Sequence, residues 1–494
     1  MQTNASRTTR VCVPVCEKNL SAFKSACERA AEWADLIELR LDCLDPQDLS
    51  NSVSELSSSR PLILTFRPSE QGGYRNLTRA QRETFWKSQA PRGDEIWWDV
   101  EADLAQDVSP DWSRTIVSHH DFSGVPTDLE NIYERLAQTR ARVLKIAVQA
   151  NDIVDCIPVF RLLERARSEG REVIAIAMGD AGIATRILGP SRGAFLTYGS
   201  LDQDSATASG QVNARKLRTL YHIDAIDRET MICGLVGRPT MHSVSPHIHN
   251  GAFESERVNG VYLPFEIVDV SAFVKRMVHP RTRELDWNLR GLSITAPHKQ
   301  TVMDYLDWIE PDAKAIGAVN TVVVEKDRLL GYNTDAAGFI EPLLKGIGSL
   351  EGKRVALIGA GGAARAAVWA LQREGANVTL FARDVSKATP LFDVPCQPLW
   401  SASFSGYDLV VNATPASAAT RKQLRGAGCV YDLVYNPIET QLLKDAREAG
   451  CETLGGLEML VAQAKIQFEL WTGKTPSQSI MYHAAAAALR TESL

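Results

Sequence analysis

The chain of 494 residues contains no uninterrupted apolar stretch of the roughly 18 residues that a membrane-spanning helix needs. It also lacks a basic excess. Its 54 lysines and arginines face 60 aspartates and glutamates, leaving a net charge of −6, which argues against nucleic acid as a partner. No block of like charge suggests an interaction tail. The first ten residues, MQTNASRTTR, have no apolar signal core and are short for a transit peptide. No CxxC pair and no zinc-type Cys/His spacing occurs, so no metal is expected. The nine cysteines are scattered and odd in number, and Cys12 and Cys16 alternate along an apolar run. Free thiols in a reducing cytoplasm are the expectation.

Residues 10–200 contain eight short apolar runs, at 11–16, 36–41, 62–66, 96–100, 115–118, 143–148, 173–178 and 194–198. Each is too short for a typical helix and rich in Val, Ile or aromatics, so each reads as a strand. Amphipathic segments such as 128–140 and 153–168 lie between them. Eight βα units in such a length predict a closed parallel (β/α)8 barrel. The rhythm changes near residue 222, where YHIDAIDRET is polar. The apolar run 231–236 opens a second α/β region, and RVALI at 354–358 a third. The expected domains are 1–224, 225–340 and 341–494, with helices in the tail from 457 returning to the middle domain.

Polar residues gather at the C-terminal ends of the expected barrel strands: Glu38, Arg40, Arg67, Glu101, His119, His120, Lys145, Arg186, Thr207 and Gln211. In a βα barrel these ends converge on one mouth, where active sites of this fold lie. Lys145 interrupts the apolar run Val143-Leu144-Lys145-Ile146-Ala147-Val148. An amine taken out of water favours its neutral form, and a neutral amine can attack a ketone to form an imine. A lysine paired with Glu101 would be the plainer alternative. His120 can move a proton beside the imine carbon, and Arg67 and Arg186 can hold a carboxylate.

Glu38-Leu39-Arg40, Thr65-Phe66-Arg67, Ser118-His119-His120-Asp121-Phe122, Lys145-Ile146-Ala147 and Gly210-Gln211 together resemble the type I 3-dehydroquinate dehydratases, over nearly all of residues 10–215. The resemblance implies syn elimination of water through a Schiff base on Lys145. It implies His120 as general acid/base, oriented by Glu101. Substrate contacts would come from Glu38, Arg40, Arg67, Arg186, Thr207 and Gln211. Thr207 stands where many members have serine, and Gln71 where glutamate is common.

In the third region Gly359-Ala360-Gly361-Gly362-Ala363-Ala364 follows a strand and opens an Ala-rich helix. The first glycine suits a tight turn, the second lets backbone approach a pyrophosphate, and the small Ala364 allows close helix packing. Arg383 ends the next strand and could pair with a 2′-phosphate, with Lys387 assisting. Asp384 leaves NAD open beside NADP. Upstream stand Ser243-Val244-Ser245-Pro246, then Ser293-Ile294-Thr295-Ala296-Pro297-His298-Lys299, then Asn320-Thr321 and Asn333-Thr334-Asp335. His242, His247 and His249 read as loop histidines rather than metal ligands.

With Asn412-Ala413-Thr414-Pro415, Asp432-Leu433-Val434-Tyr435 and Met459-Leu460-Val461-Ala462-Gln463-Ala464, these segments resemble shikimate dehydrogenase from about 230 to 490. The resemblance implies an α/β substrate domain and a Rossmann domain binding NADP(H). Lys299 and Asp335 would form the catalytic pair. Ser243, Ser245, Thr295, Asn320, Tyr435 and Gln463 would line the substrate site, and Thr414 would join the coenzyme contacts. Ser293 replaces the asparagine of many bacterial members. The two resemblances meet in chemistry, because the product of the first reaction is the substrate of the second. The partners expected are therefore small molecules: 3-dehydroquinate, 3-dehydroshikimate and shikimate. Two alternatives stay open: a second half that prefers quinate with NAD, and a barrel that is a non-catalytic regulatory module.

Overall fold

The computed structural model describes residues 9–49, 58–88, 95–202, 210–416 and 418–491. The chain divides into two compact units. One is Met1–Thr230 with Pro264–Met277 and Thr282–Asn288; the other is Met231–Leu263 with Val278–Arg281 and Leu289–Leu494.

The first unit is built on β1 Val11–Val15, β2 Leu36–Arg40, β3 Leu62–Thr65, β4 Ile96–Glu101, β5 Thr115–Asp121, β6 Val143–Gln149, β7 Glu172–Met178 and β8 Thr197–Tyr198. All eight expected runs are strands. They lie in the order β7-β6-β5-β4-β3-β2-β1-β8, and each pair is parallel. An isolated parallel bridge between Val173 and Ala194 brings the two ends of the sheet together. Helices such as Leu129–Ala137, Cys156–Ser168 and Ile183–Arg192 separate the strands. This is the expected barrel.

Strand alternation sorts its interior into layers, because every second side chain shares a face. The lowest layer is apolar and includes Leu36, Ile63, Ile116, Val143 and Ile174. Two residues further along the strands come Glu38, Thr65, Asp99, Ser118 and Lys145. A further two bring Arg40, Arg67, Glu101 and His120. The polar residues thus stand on an apolar plug at the C-terminal end of the barrel.

One sequence expectation is corrected here. Cys16 and Cys43 form a disulfide across a separation of 27 residues, and the other seven cysteines are free. β1 and β2 are adjacent and parallel, so the residues following them meet at the same end. That adjacency is tertiary, and no cysteine spacing reveals it. The argument from free thiols to a reducing compartment falls with it.

The second unit holds two six-stranded sheets. The first is mixed: β9 Met231–Gly237, β10 Gly260–Glu266, β11 Leu289–Ile294, β12 Trp308–Ile309, β13 Thr321–Val324 and β14 Leu329–Tyr332, in the order β10-β9-β11-β13-β14-β12. The second is β15 Arg354–Ile358, β16 Asn377–Ala382, β17 Cys396–Pro398, β18 Leu409–Asn412, β19 Cys429–Asp432 and β20 Glu452–Leu454, all parallel, in the order β17-β16-β15-β18-β19-β20. That order reverses direction between β15 and β18, the position at which doubly wound sheets bind ligands. Val355, Leu357 and Val411 face one apolar cluster, and Ala356, Ile358 and Val410 face another. A parallel sheet covered on both sides needs such unbroken apolar runs.

Two helices close the unit, Gly456–Thr472 and Gln478–Thr491. The first packs along the helix Thr334–Ile347, the second along Ser245–Ser255. Gly338 permits the closer contact, since a Cβ there would stand 2.6 Å from Gln463 Cβ and 2.7 Å from its backbone nitrogen. Both obstacles belong to a packed helix, so overpacking should cost about 1–3 kcal/mol. Gly338→Ala is expected to lower the unfolding free energy by that amount, read as a lower urea midpoint at unchanged slope, and to weaken any ligand binding through Gln463. An unchanged midpoint would show that the two helices can separate freely.

Candidate functional site

In the barrel, Glu38, Arg40, Arg67, Gln71, His120, Lys145, Arg186 and Gln211 line one cavity of about 50 Å³, joined by Tyr198 and Phe122. Parallel register explains the gathering: Arg40 lies beside Thr65, Thr65 beside Asp99, and Ser118 beside Lys145. Thr207 lies outside the described residues.

Lys145 is buried, and three groups surround its Nζ: Asp99 Oδ2 at 2.8 Å, Tyr198 Oη at 2.9 Å and Glu38 Oε1 at 3.4 Å. Its carboxylate partners are Asp99 and Glu38 rather than the Glu101 considered from sequence. Asp99 also accepts from Arg67 Nη2 at 2.7 Å. Burial would raise the Asp99 carboxyl, but Lys145 and Arg67 hold it well below the usual carboxylate range. For Arg67, burial opposes the charge, and Asp99, Glu38 and Glu101 more than offset it. Arg40 is held by both oxygens of Asp42, at 3.0 and 2.8 Å, and donates to the Gly72 carbonyl at 2.9 Å. Desolvation draws the buried Arg186 guanidinium down to about 10, so an anion arriving there would relieve the cost of a buried charge.

His120 is held well below its ordinary value, first by desolvation and then by the charges of Arg67 and Lys145. It is therefore neutral near pH 7 and able to accept a proton. Glu101, expected to orient it, is completely buried and faces Arg82 at 3.4 Å and Arg67 at 3.8 Å. Desolvation pushes the Glu101 carboxyl up to about 8 against the pull of Arg67. Glu101 Oε1 and His120 Nδ1 are both buried without a hydrogen-bond partner. Asp99 and Tyr198 escaped sequence reasoning, although Asp99 shares the face of Glu101 by simple alternation.

In the second unit, Ser243, Ser245, Ser293, Thr295, Lys299, Asn320, Asp335, Tyr435 and Gln463 line one cavity of about 350 Å³. The mixed sheet explains why. β11 runs parallel to β9 and antiparallel to β13, which is antiparallel to β14. The segments after β9, after β11, before β13 and after β14 therefore share one edge, and these carry Ser243, Lys299, Asn320 and Asp335. Lys299 Nζ donates to Asp335 Oδ2 at 2.5 Å, and Asn320 Nδ2 to Asp335 Oδ1 at 2.8 Å. Asp335 lies in the first turn of its helix, where the helix dipole favours a negative charge. Gln467 was missed by sequence reasoning. It sits one turn beyond Gln463, accepts from Ser293 Oγ at 2.7 Å and donates to Thr321 Oγ1 at 2.9 Å.

The glycine loop fits a dinucleotide. Gly359 has φ +115°, and a Cβ there would meet Thr414 Cγ2 at 2.9 Å, whereas a Cβ at Gly361 would meet nothing within 4 Å. The helix Gly362–Arg373 has no side-chain cap, which leaves its first N–H groups for an anion. Arg383 is exposed. Asp384 caps a short helix, accepting from Ser386 Oγ at 2.7 Å and Lys387 N at 3.2 Å. Its Oδ1 is thus engaged locally, and its Oδ2 pairs with Lys387 Nζ at 3.4 Å. A Cβ at Gly362 would lie 3.9 Å from Lys299 Cδ, so the loop borders the substrate cavity. Among the described residues no group of three or more His, Cys, Asp or Glu could hold a metal ion. No described helix is long and apolar enough to cross a membrane.

Comparison with known families gives four matches: Type I 3-dehydroquinase over residues 11–228, Shikimate dehydrogenase substrate binding domain over 235–322, Putative NAD(P)-binding over 348–438 and Shikimate 5'-dehydrogenase C-terminal domain over 456–486. The chloroplastic bifunctional 3-dehydroquinate dehydratase/shikimate dehydrogenase of Arabidopsis thaliana is 32% identical over 510 residues, covering 94% of this chain and 82% of the relative. The NADP(+) shikimate dehydrogenase of Carboxydothermus hydrogenoformans is 36% identical over 278 residues, covering 52% of this chain and 96% of the relative. A solved dehydroquinate dehydratase and shikimate dehydrogenase structure from S. pombe is 25% identical, covers 98% of each chain and has a TM-score of 0.44.

Asp99 serves two buried cations, so Asp99→Asn should lower the free energy of unfolding by about 3–5 kcal/mol, read by denaturant titration at neutral pH. Its carboxyl is depressed in the folded state, so this contribution is present above the ordinary carboxylate range and is lost as pH falls below it. The wild-type and variant curves should converge in acid; parallel curves would place the charge elsewhere.

Proposed function

The chain belongs to the family of bifunctional 3-dehydroquinate dehydratase/shikimate dehydrogenases, and on that premise we propose how its two units divide the work. The chain removes water from 3-dehydroquinate and reduces the resulting 3-dehydroshikimate to shikimate with NADPH. Residues 1–224 supply the dehydratase, 225–340 bind the second substrate, and 341–494 bind the coenzyme.

The observation that carries the first reaction is Lys145, buried beside a neutral histidine in an arginine-lined cavity. In this reading the Lys145 amine attacks the ketone and forms an imine, which draws electrons from the neighbouring carbon. His120 takes a proton from that carbon and returns it to the departing hydroxyl. Arg186 and Arg67 bind the carboxylate, while Glu38, Arg40, Gln211 and Thr207 receive the hydroxyls. Glu101 steers His120.

In the second reaction the nicotinamide coenzyme, when bound, supplies hydride to the ketone carbon. Lys299 gives a proton to the ketone oxygen, and Asp335 and Asn320 fix the lysine's position. Ser243, Ser245, Thr295, Tyr435 and Gln463 orient the ring. The loop Gly359, Ala360, Gly361, Gly362, Ala363, Ala364 would hold the pyrophosphate beside Thr414, and Arg383 with Lys387 would hold the 2′-phosphate. The likeness to the NADP(+) shikimate dehydrogenase of Carboxydothermus hydrogenoformans supports this phosphate over a bare ribose.

A coupled assay tests the whole reading. With 3-dehydroquinate and NADPH, reduced coenzyme should be consumed and shikimate should accumulate. Consumption with 3-dehydroshikimate but not with 3-dehydroquinate would make the barrel inert. Lys299→Ala should lower kcat on 3-dehydroshikimate by about 10²–10⁴-fold, with NADPH affinity nearly unchanged by fluorescence titration. Wild-type turnover in that variant would remove Lys299 from the chemistry.

A further inference from the structure

An ammonium has three protons and no lone pair. Lys145 Nζ meets three oxygens within hydrogen-bond reach, those of Asp99, Tyr198 and Glu38. The set therefore satisfies the protonated lysine. A neutral amine asks for something different: two acceptors for its remaining protons and one donor for its lone pair. Ionised Asp99 and Glu38 can only accept. A hydroxyl can do either. Tyr198 is buried, and its ring centroid lies 4.4 Å from Nζ, so the phenol stays beside the nitrogen. Burial and the charge of Glu38 hold the Tyr198 hydroxyl well above its ordinary range, so it keeps its proton and acts as a hydrogen-bonding group.

We propose that Tyr198 is a further catalytic residue of the dehydratase: its hydroxyl accepts from the Lys145 ammonium and donates to the neutral amine. The inference rests on the Schiff-base reading of Lys145 and deepens it. Without such a group, losing a proton would leave a buried lone pair unpartnered, a cost that falls on the nucleophilic form.

The step balances without an outside reagent. Nζ gives one proton to neutral His120. Its lone pair forms the C–N bond while the carbonyl π pair moves to oxygen. A second proton passes from nitrogen to that oxygen, and His120 returns the first to it. The C–O bond breaks, water leaves, and the iminium nitrogen keeps one proton. Tyr198 transfers no proton in this sequence. Once the lone pair is committed to carbon, its O–H is released to donate to the oxygen on that carbon.

The test compares wild type with Tyr198→Phe, which keeps the ring. Both are treated with borohydride and 3-dehydroquinate, and the growth of the reduced lysine adduct is followed by intact mass. Dehydration kcat and KM are measured alongside. The variant should form adduct about tenfold more slowly, the size of one lost hydrogen bond. Its kcat should fall in proportion and KM should change little, while reduction of 3-dehydroshikimate is unaffected. If wild type forms no adduct, the Schiff-base reading fails and takes this inference with it. If wild type forms adduct and Tyr198→Phe matches its rate and kcat, Tyr198 alone is overturned. Should the variant fail to fold, 3-fluorotyrosine at position 198 keeps the shape while making the O–H a stronger donor. A changed trapping rate then supports the role, and an unchanged rate overturns it.

Discussion

A charge removed from water must find an opposite charge, and in the barrel that condition is met at Asp99. Its carboxylate binds both Lys145 and Arg67, and so joins the two polar layers. The apolar plug beneath excludes solvent, so Lys145 could not sit in β6 without it. Breaking such a buried pair is more costly than never having built it, which makes Asp99 a determinant of architecture. The pairing also sorts the cations. Arg67 and Lys145 are engaged by Asp99, Arg40 by Asp42 and Arg82 by Glu101 and Asp103, while desolvation draws Arg186 down.

The second unit meets the same condition near its surface. Asp335 joins Lys299 to Asn320, and the first turn of its own helix supports the charge. The two units collect their residues by different geometry. A parallel barrel brings every strand's C-terminal end to one side, so its candidate site residues lie on the strands or after them and never before them. The mixed sheet brings strand ends of both polarities together, so Asn320 precedes its strand while Lys299 and Asp335 follow theirs.

Much of this was legible in the chain because the period is short. Eight apolar runs predict eight strands, and residues two apart share a face, which is why Glu38 and Arg40, or Lys145 and Ala147, fall together. The glycine loop was legible because a strand and a helix flank it. What escaped notice was contact between strands. Asp99 sits inside Ile96–Glu101, where it reads as an interruption, and only its neighbours in β6 and β3 give it meaning. Cys16 and Cys43 meet through the β1–β2 pairing. Tyr198 closes an apolar run and looks like core until Lys145 is found beside it. Glu101 shows the converse: a resemblance assigns it to His120, while its nearest ionic partners are arginines.

In the proposed reactions the same residue type performs opposite tasks in the two units, and the difference lies in access to water. On the Schiff-base proposal Lys145 must shed a proton to become a nucleophile, and its side chain is 5% exposed. The proton has no direct route to solvent, so it must pass to a neighbouring group, and the partners of Nζ must suit both charge states. Lys299, as proposed, must deliver a proton, and its side chain is 23% exposed. Water can restore what the reaction removes, and a single carboxylate suffices to position the group. On that proposal the barrel needs an internal acceptor and a partner that can reverse its hydrogen bond. The dehydrogenase cavity needs only an anchored donor at its rim. The crowding around Lys145 and the sparseness around Lys299 follow from that one contrast.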